Sequence, residues 1–308
     1  MIQTPPSSPF SRALFLKHRE RAAATYERAS FLKQRASEDI CDRLELVTRH
    51  FDRALDVGSH GGYLGEAVAR RAGLAGRIGF LAQSDISTKM AAKARQNAYV
   101  ADEEWMPLGD ESLDLIVSAL ALHWINDVPG FLVQVRRALK PDGLFVANFL
   151  GGRTLQELRQ VFVQAEEEAG REAGPRVSPY ADAQDGAQLL QRAGFALPVA
   201  DSDVVVVRYD NMFALVRDIK AMGEAAAFGA SRARPLTRHI IARAADLYAR
   251  DHADSDGRIR ATFELVTLTG WSPHHSQQKP LRPGSAKMRL ADALGVREVS
   301  AGEKPTDG

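Results

Sequence analysis

The stretch Arg53-Ala-Leu-Asp-Val-Gly-Ser-His-Gly-Gly-Tyr-Leu-Gly65 decides the fold. Ala54, Leu55 and Val57 read as a short buried strand, Gly58 breaks it, and a helix pattern covers residues 63–71. A strand that enters a glycine-rich turn and opens a helix presents backbone N–H groups to a ligand. Asp56 stands just before the turn, at the carboxyl end of the strand, where open α/β sheets bind ligands. An ordinary strand-to-helix connection that needs positive φ would use the same glycines, so the flanking elements must decide.

Downstream, residues 77–82 read as a second strand ending before Asp85, and a helix is expected over 88–96. An acid at the end of the second strand, roughly 20 or more residues past the turn, is placed to accept from ribose hydroxyls; Asp85 or Ser87 could instead cap the next helix. A short third strand over 99–101 leads into Asp102-Glu103-Glu104. A carboxylate there can accept from an adenine amino group, or be a solvated acidic turn. Residues 113–119 form a strongly buried strand with Asp114 at its mouth, followed by Leu122-His123-Trp124-Ile125-Asn126-Asp127. A helix over 128–139 ends at Lys140-Pro141-Asp142-Gly143, and a fifth strand covers 144–149. Thr154 with Glu157 predicts a capping box. Then come a loop over 170–182, a helix over 185–193, a strand over 204–209, helices over 211–223 and 237–250 joined by a glycine- and arginine-bearing loop, and a last strand over 260–269. Ahead of the first strand, residues 11–48 predict two helices, one with a broken stripe of Leu14, Phe15, Ala22 and Tyr26, the other with Ile40, Leu44 and Val47. The first packs on a core or closes over a cofactor. Alternating strand and helix means a parallel sheet with helices on both faces.

Bulk properties narrow the function. The 308 residues are 45% hydrophobic and 26% charged with a net charge of +1, which gives no electrostatic case for nucleic acid or membrane binding. Cys41 is the one cysteine, so no internal disulfide can form. No apolar run reaches transmembrane length. Glu20 and Glu27 argue against a transit peptide over the basic stretch 11–35. His60 breaks a dinucleotide Gly-x-Gly-x-x-Gly pattern, and no nucleoside-triphosphate loop is present.

The glycine turn with acids after the first three strands resembles class I S-adenosylmethionine (SAM) methyltransferases. Their Rossmann-like fold has seven strands, the last antiparallel. Ala101-Asp-Glu-Glu104, Leu122-His-Trp-Ile-Asn-Asp127, Leu139-Lys-Pro-Asp-Gly143, Gly151-Gly152 with Thr154-Leu155 and Glu157-Leu-Arg159, Arg192-Ala-Gly-Phe195, Met222-Gly-Glu224 and Gly270-Trp271 extend the likeness. Together they are similar to the mitochondrial complex I assembly factor 5 family, described as methyltransferase-fold protein arginine hydroxylases. The malonyl-carrier-protein O-methyltransferase is a more distant resemblance. The likeness covers roughly residues 10–290. Pro5, Pro6 and Pro9 predict an unfolded start and the polar run after Val296 a disordered end, so the expected layout is unfolded residues 1–10, N-terminal helices over 11–50, a methyltransferase-fold domain over 51–272 with a helical lid near 211–251, and an extension over 273–308 whose end is disordered.

The resemblance implies SAM as cofactor, with Asp56, Gly58 and Gly62 at its methionine end, Asp85 on the ribose and Asp102 or Glu103 on the adenine. His60 stands where the family carries a glycine, so either Gly61 restores the turn or affinity falls. His123 is the candidate base, or a histidine packed beside Trp124. Glu224 would receive a guanidinium, or is a helix-end carboxylate. Methyl transfer, arginine hydroxylation and non-catalytic client holding are the three readings. His50-Phe-Asp52 and His252-Ala-Asp254 have His-x-Asp spacing, but one precedes the first strand and the other lies in a polar loop, so no metal site is expected. The implied partner is a protein substrate such as a complex I subunit, and the implied location is the bacterial cytoplasm or the mitochondrial matrix at the inner membrane.

Overall fold

The computed structural model describes residues 8–228 and 235–278, with Asp292, Gly295 and Val296. The chain divides into two units, Met1–Pro273 and His274–Gly308, and every element named below lies in the first. In the second, the rings of His274 and His275 lie 4.0 Å apart and His274 Nδ1 meets Ser276 Oγ at 2.7 Å.

In chain order the elements are α1 (Arg12–Ala22), a 3₁₀ turn (Tyr26–Ala29), α2 (Phe31–Glu45), β1 (Phe51–Val57), α3 (Tyr63–Arg70), α4 (Ala72–Ala75), β2 (Ile78–Asp85), α5 (Thr88–Ala91), β3 (Ala98–Val100), β4 (Leu113–Ala119), a second 3₁₀ turn (Leu122–Trp124), α6 (Val128–Ala138), β5 (Leu139–Leu150), α7 (Gln156–Glu168), α8 (Ala183–Arg192), β6 (Ala196–Tyr209), α9 (Met212–Met222), α10 (Arg238–Asp251) and β7 (Ile259–Trp271). The seven strands form one sheet in the order β3-β2-β1-β4-β5-β7-β6. β1 to β5 pair in parallel, and β7 runs antiparallel to both β5 and β6. This is the α/β class I methyltransferase sheet, with the last strand reversed.

The apolar runs of β4 and β5 alternate between two cores, as a sheet covered on both faces requires. Leu115, Val117, Leu144 and Val146 join Leu32, Ala36, Ile40 and Leu44 of α2 and Leu158, Val161 and Phe162 of α7. Ile116, Phe145 and Ala147 join Phe131, Leu132 and Val135 of α6 and Leu190 of α8. The register puts Asp56 opposite Gln83 and Val117, and Asp85 opposite Val100. The carboxyl ends of β1 to β4 therefore share one edge. Strand order reverses between β1 and β4, which opens the crevice in which such sheets bind ligands.

Several expectations change. The helix expected over 88–96 stops at Ala91, because beyond Met90 and Ala91 no buried side chain ties a further turn to the sheet. β6 starts at Ala196, well ahead of residue 204, because it pairs with β7 along its whole length; Asp201 and Asp203 suit its place at the sheet edge. The capping box at Thr154 and Glu157 is absent. Leu155 precedes α7 with φ +53°, Thr154 Oγ1 accepts from the Glu264 N–H at 3.1 Å, and Glu157 accepts from the Thr262 N–H at 3.1 Å and from the Thr262 hydroxyl. Both side chains bind β7 instead of their own helix, and the box is found at Asp182 and Asp185. Of the terminus expected to be unfolded over 1–10, residues 1–7 lie outside the described residues, whereas Phe10 is buried with its ring 5.2 Å from that of Trp124. Asp114 is not at the ligand edge but at the start of β4, paired with Lys140 at 2.8 Å. Of the helices expected as a lid, α9 packs on α1 and the first 3₁₀ turn, and α10 on α7. The loop between them over 229–234 and most of the C-terminal extension lie outside the described residues. Among the described residues no helix is long and apolar enough to cross a membrane.

Glu157→Ala should lower stability by about 1–3 kcal/mol, because it strands the buried Thr262 N–H. A urea denaturation midpoint equal to that of the parent would contradict this tie.

Candidate functional site

The glycine turn builds the floor of the site. Gly58 has φ +70°, and a Cβ there would stand 2.4 Å from Ala121 Cβ, so the turn and the chain leaving β4 meet too closely for a side chain. His60 itself takes the left-handed conformation at φ +51°, followed by Gly61 and Gly62 at φ +95° and +88°. The turn is thus restored with the histidine in it, one of the side chains that tolerate this region. Its imidazole points at Tyr26, with Nδ1 2.7 Å from the hydroxyl. Burial, and then the Arg19 and Lys33 cations, push the ring well below its ordinary pKa, so it is neutral.

The expected cofactor acids lie at the sheet edge, and Asp85, Asp102 and Glu103 are each paired with an arginine of α1. Asp85, fully buried at the end of β2, accepts from Arg19 Nη2 at 2.8 Å, the His60 N–H at 3.0 Å and the Ser87 N–H at 2.9 Å. Arg12 Nη2 donates to Asp102 at 2.6 Å and to Glu103, while its Nη1 donates to the Trp124 carbonyl at 3.1 Å. Glu103 is raised above the ordinary carboxyl range by burial, against the pull of Arg12. Lys33, 1% exposed, donates to the Gly58 carbonyl at 2.8 Å and the Ala119 carbonyl at 2.6 Å. Asp56 is fully buried, and neither oxygen has a hydrogen-bond donor among the described residues. Burial, opposed by Lys33, raises it to about 6. Arg19 Nε and Nη1 and Ser59 Oγ are also buried without partners among the described residues.

His123 and Glu224, distant in sequence, meet at the end of β4. His123 Nε2 lies 2.9 Å from Glu224 Oε2, Trp124 Nε1 donates to the same oxygen at 2.6 Å, and the Leu150 N–H faces His123 Nδ1 at 3.5 Å. Burial raises the Glu224 carboxyl, but His123, Arg19 and the Trp124 N–H outweigh it and hold the group below the ordinary range. Glu224 therefore stays anionic. It lines a cavity of about 390 Å³ whose other walls include Leu158, Phe162, Tyr180, Met212 and Ile241. Among the described residues no cluster of His, Cys, Asp and Glu is arranged to hold a metal ion.

Asp56, Asp85, Asp102 and Glu103 thus meet around the glycine turn, while His123 and Glu224 form a separate pair beside the apolar cavity. Arg12, Arg19 and Lys33 carry no motif that marks them in the sequence, and Tyr26 reads there only as part of an apolar stripe. Arg12, Phe15, Arg19 and Ala22 make one buried stripe of α1 at helical spacing, and only a reading that let arginine into a buried face would have found it.

Arg19→Ala should cost about 3–5 kcal/mol, because it leaves Asp85 buried without its cation; a shift in thermal midpoint within error would contradict the pairing. Glu224 generates a second expectation. A carboxyl held below its unfolded value adds stability at neutral pH that is lost as pH falls below about 4.3. Glu224→Gln should flatten the acid limb of the stability–pH curve, and a limb as steep as the parent's would count against the ionised carboxylate.

Comparison with known proteins adds the lineage. A family model described as a methyltransferase domain matches residues 55–147. The YcgJ protein from Bacillus subtilis shares the fold, with a TM-score of 0.54 at 15% identity over 77% of this chain and 98% of that one. Malonyl-[acyl-carrier protein] O-methyltransferase of Laribacter hongkongensis is 34% identical, covering 86% of this chain and 91% of that protein. The mitochondrial arginine-hydroxylase NDUFAF5 of Mus musculus is 35% identical over 302 residues, 96% of this chain and 86% of that protein, and that of Danio rerio is 33% identical over 95% and 91%. On this similarity, which runs nearly end to end, the chain belongs to the methyltransferase-fold family of the NDUFAF5 arginine-hydroxylases.

Proposed function

We propose that the chain binds S-adenosylmethionine at the carboxyl edge of its sheet and methylates a protein acceptor that presents a cationic, arginine-like group. The observation that carries this reading is the gathering of buried Asp56, Asp85 and Glu103 around the crevice between β1 and β4. Asp85 would hold the ribose hydroxyls, Asp102 and Glu103 the adenine amino group, and Asp56 with the turn from Gly58 to Gly62 the methionine end. The donor set fits. Among the described residues Asp56 lacks a donor, while Arg19 Nε and Nη1 lack acceptors; an amino-acid end carries one ammonium and one carboxylate. When bound, the cofactor supplies an electrophilic sulfonium methyl. The chain's task is then to hold donor and acceptor in line, an arrangement that can supply about 7–11 kcal/mol.

On the acceptor side, Glu224 is an anion at the wall of an apolar cavity, which suits a guanidinium on an aliphatic stem. Its two bonds, from His123 and Trp124, fix where that charge sits. His123 spends Nε2 on Glu224, so in this reading it positions the carboxylate; the acceptor nitrogen would pass its proton to Glu224 as it takes the methyl, and the cofactor would leave as the neutral thioether S-adenosylhomocysteine. Arginine hydroxylation is the second reading, favoured by the names of the mouse and zebrafish relatives. It would use the same Glu224 anchor but consume oxygen and an electron source. In either case a respiratory complex I subunit is the acceptor that the family resemblance suggests.

Calorimetric titration should detect SAM binding, and Asp85→Asn should weaken it at least about tenfold. Equal binding by the variant, or none by the parent, would sink the cofactor assignment. Incubation with methyl-labelled SAM and an arginine-bearing subunit, read by mass spectrometry, should add a methyl group. Gain of an oxygen atom that depends on dissolved oxygen would select the second reading.

A further inference from the structure

We propose that the Lys33 ammonium occupies the subsite meant for the ammonium of the cofactor's amino-acid end, so that the cofactor binds only by displacing it. This rests on the SAM reading given above. Lys33 is a buried titratable group with no part in the chemistry so far. Its two acceptors are the carbonyl that opens the glycine turn, Gly58, and the carbonyl that ends β4, Ala119. They stand at the ends of the two strands between which the strand order reverses, beside the turn that the SAM reading assigns to the methionine end. Buried Asp56 adds a negative charge to the same place, without a hydrogen bond of its own among the described residues. Two carbonyls and a carboxylate make a receptor for one cation, and the chain has supplied that cation itself.

Helix formation does not explain a lysine there. Lys33 lies in the first turn of α2, where the helix dipole disfavours a positive charge. Nor does packing demand the amine, since its neighbours on the buried face of α2 are Leu32, Ala36 and Ser37. The amine is also poised to leave. Burial, opposed by Asp56 and reinforced by Arg19, lowers it to about 8, so giving up its proton in the site is easier than for an exposed lysine.

The test is calorimetric titration of the full chain with SAM, S-adenosylhomocysteine and methylthioadenosine, the last of which lacks the amino-acid end. Lys33→Met should bind the first two at least about tenfold more tightly than the parent and leave methylthioadenosine unchanged. Lys33→Gln, which keeps a neutral donor for one carbonyl, guards against misfolding of the methionine variant and should move in the same direction. Methylthioadenosine bound equally by all three proteins, with SAM bound no better or less well by the variants, would overturn the proposal while leaving the cofactor site standing; weaker SAM binding would make Lys33 a ligand of the cofactor's carboxylate, and equal binding would leave it a structural tie between the two carbonyls. Failure of the parent and both variants to bind any of the three compounds would remove the cofactor site, and the proposal with it.

Discussion

Buried charge pairing holds the N-terminal helices on the sheet, and the rest of the site depends on it. A buried guanidinium or ammonium is strongly unfavourable unless its partners replace water, so each cation fixes the helix that carries it. Arg12 and Arg19 share the buried stripe of α1 with only Phe15 and Ala22. Apolar burial alone would leave α1 loosely placed; its ion pairs with Asp102, Glu103 and Asp85 locate it. The constraint extends to the acceptor side. The Ser11 N–H donates to the Ala227 carbonyl at 2.7 Å, and His18 Nδ1 lies 3.0 Å from the Ala225 carbonyl. The segment carrying Glu224 is therefore tied to the helix that covers the acids, so a ligand that rearranges Arg19 acts on a helix that also holds the Glu224 wall.

The sheet makes this economical in chain length. Parallel pairing brings the ends of β1, β2, β3 and β4 to one edge, and the short segments beyond them supply the turn, Asp85, Asp102, Glu103 and His123. The close approach of Gly58 to Ala121 joins the loops after β1 and β4 without side chains between them. That leaves the carbonyls of Gly58 and Ala119 open to a cation, and Lys33 takes both.

Those features that follow from local pattern were readable in the sequence: the alternation of strand and helix, the glycine turn and the acids at strand ends; the reversed last strand followed from the family resemblance, because no local pattern distinguishes it. Features that depend on long-range exchange of partners were not. Thr154 and Glu157 have capping-box spacing, yet their acceptors serve β7, more than a hundred residues away. The α1 stripe reads as broken because two of its buried members are arginines, which appear as buried residues only when their carboxylate partners are known. His60 departs from the glycine pattern, and its imidazole finds room only because Tyr26, on a 3₁₀ turn far outside the motif, offers a hydroxyl. No spacing rule links residue 26 to residue 60.

The acceptor side separates the activities named among the relatives better than the cofactor side does. A methyltransferase that acts on a malonyl group must bring a carboxylate to the methyl donor, and an anionic wall opposes that approach. Glu224 is such a wall, held ionised by His123, Arg19 and the Trp124 N–H. The cations lining the same cavity do not reverse its sign: Arg176 is bound to Glu166, and Lys220 is exposed. A guanidinium on an aliphatic stem would suit the arrangement, since Glu224, Phe162 and Leu158 line one cavity. Methylation at nitrogen and hydroxylation at carbon place the same first demand on the protein, a fixed arginine side chain. The choice between them lies in which co-substrate reaches that side chain, and in the proposed cofactor site SAM would have to take the two carbonyls that Lys33 holds.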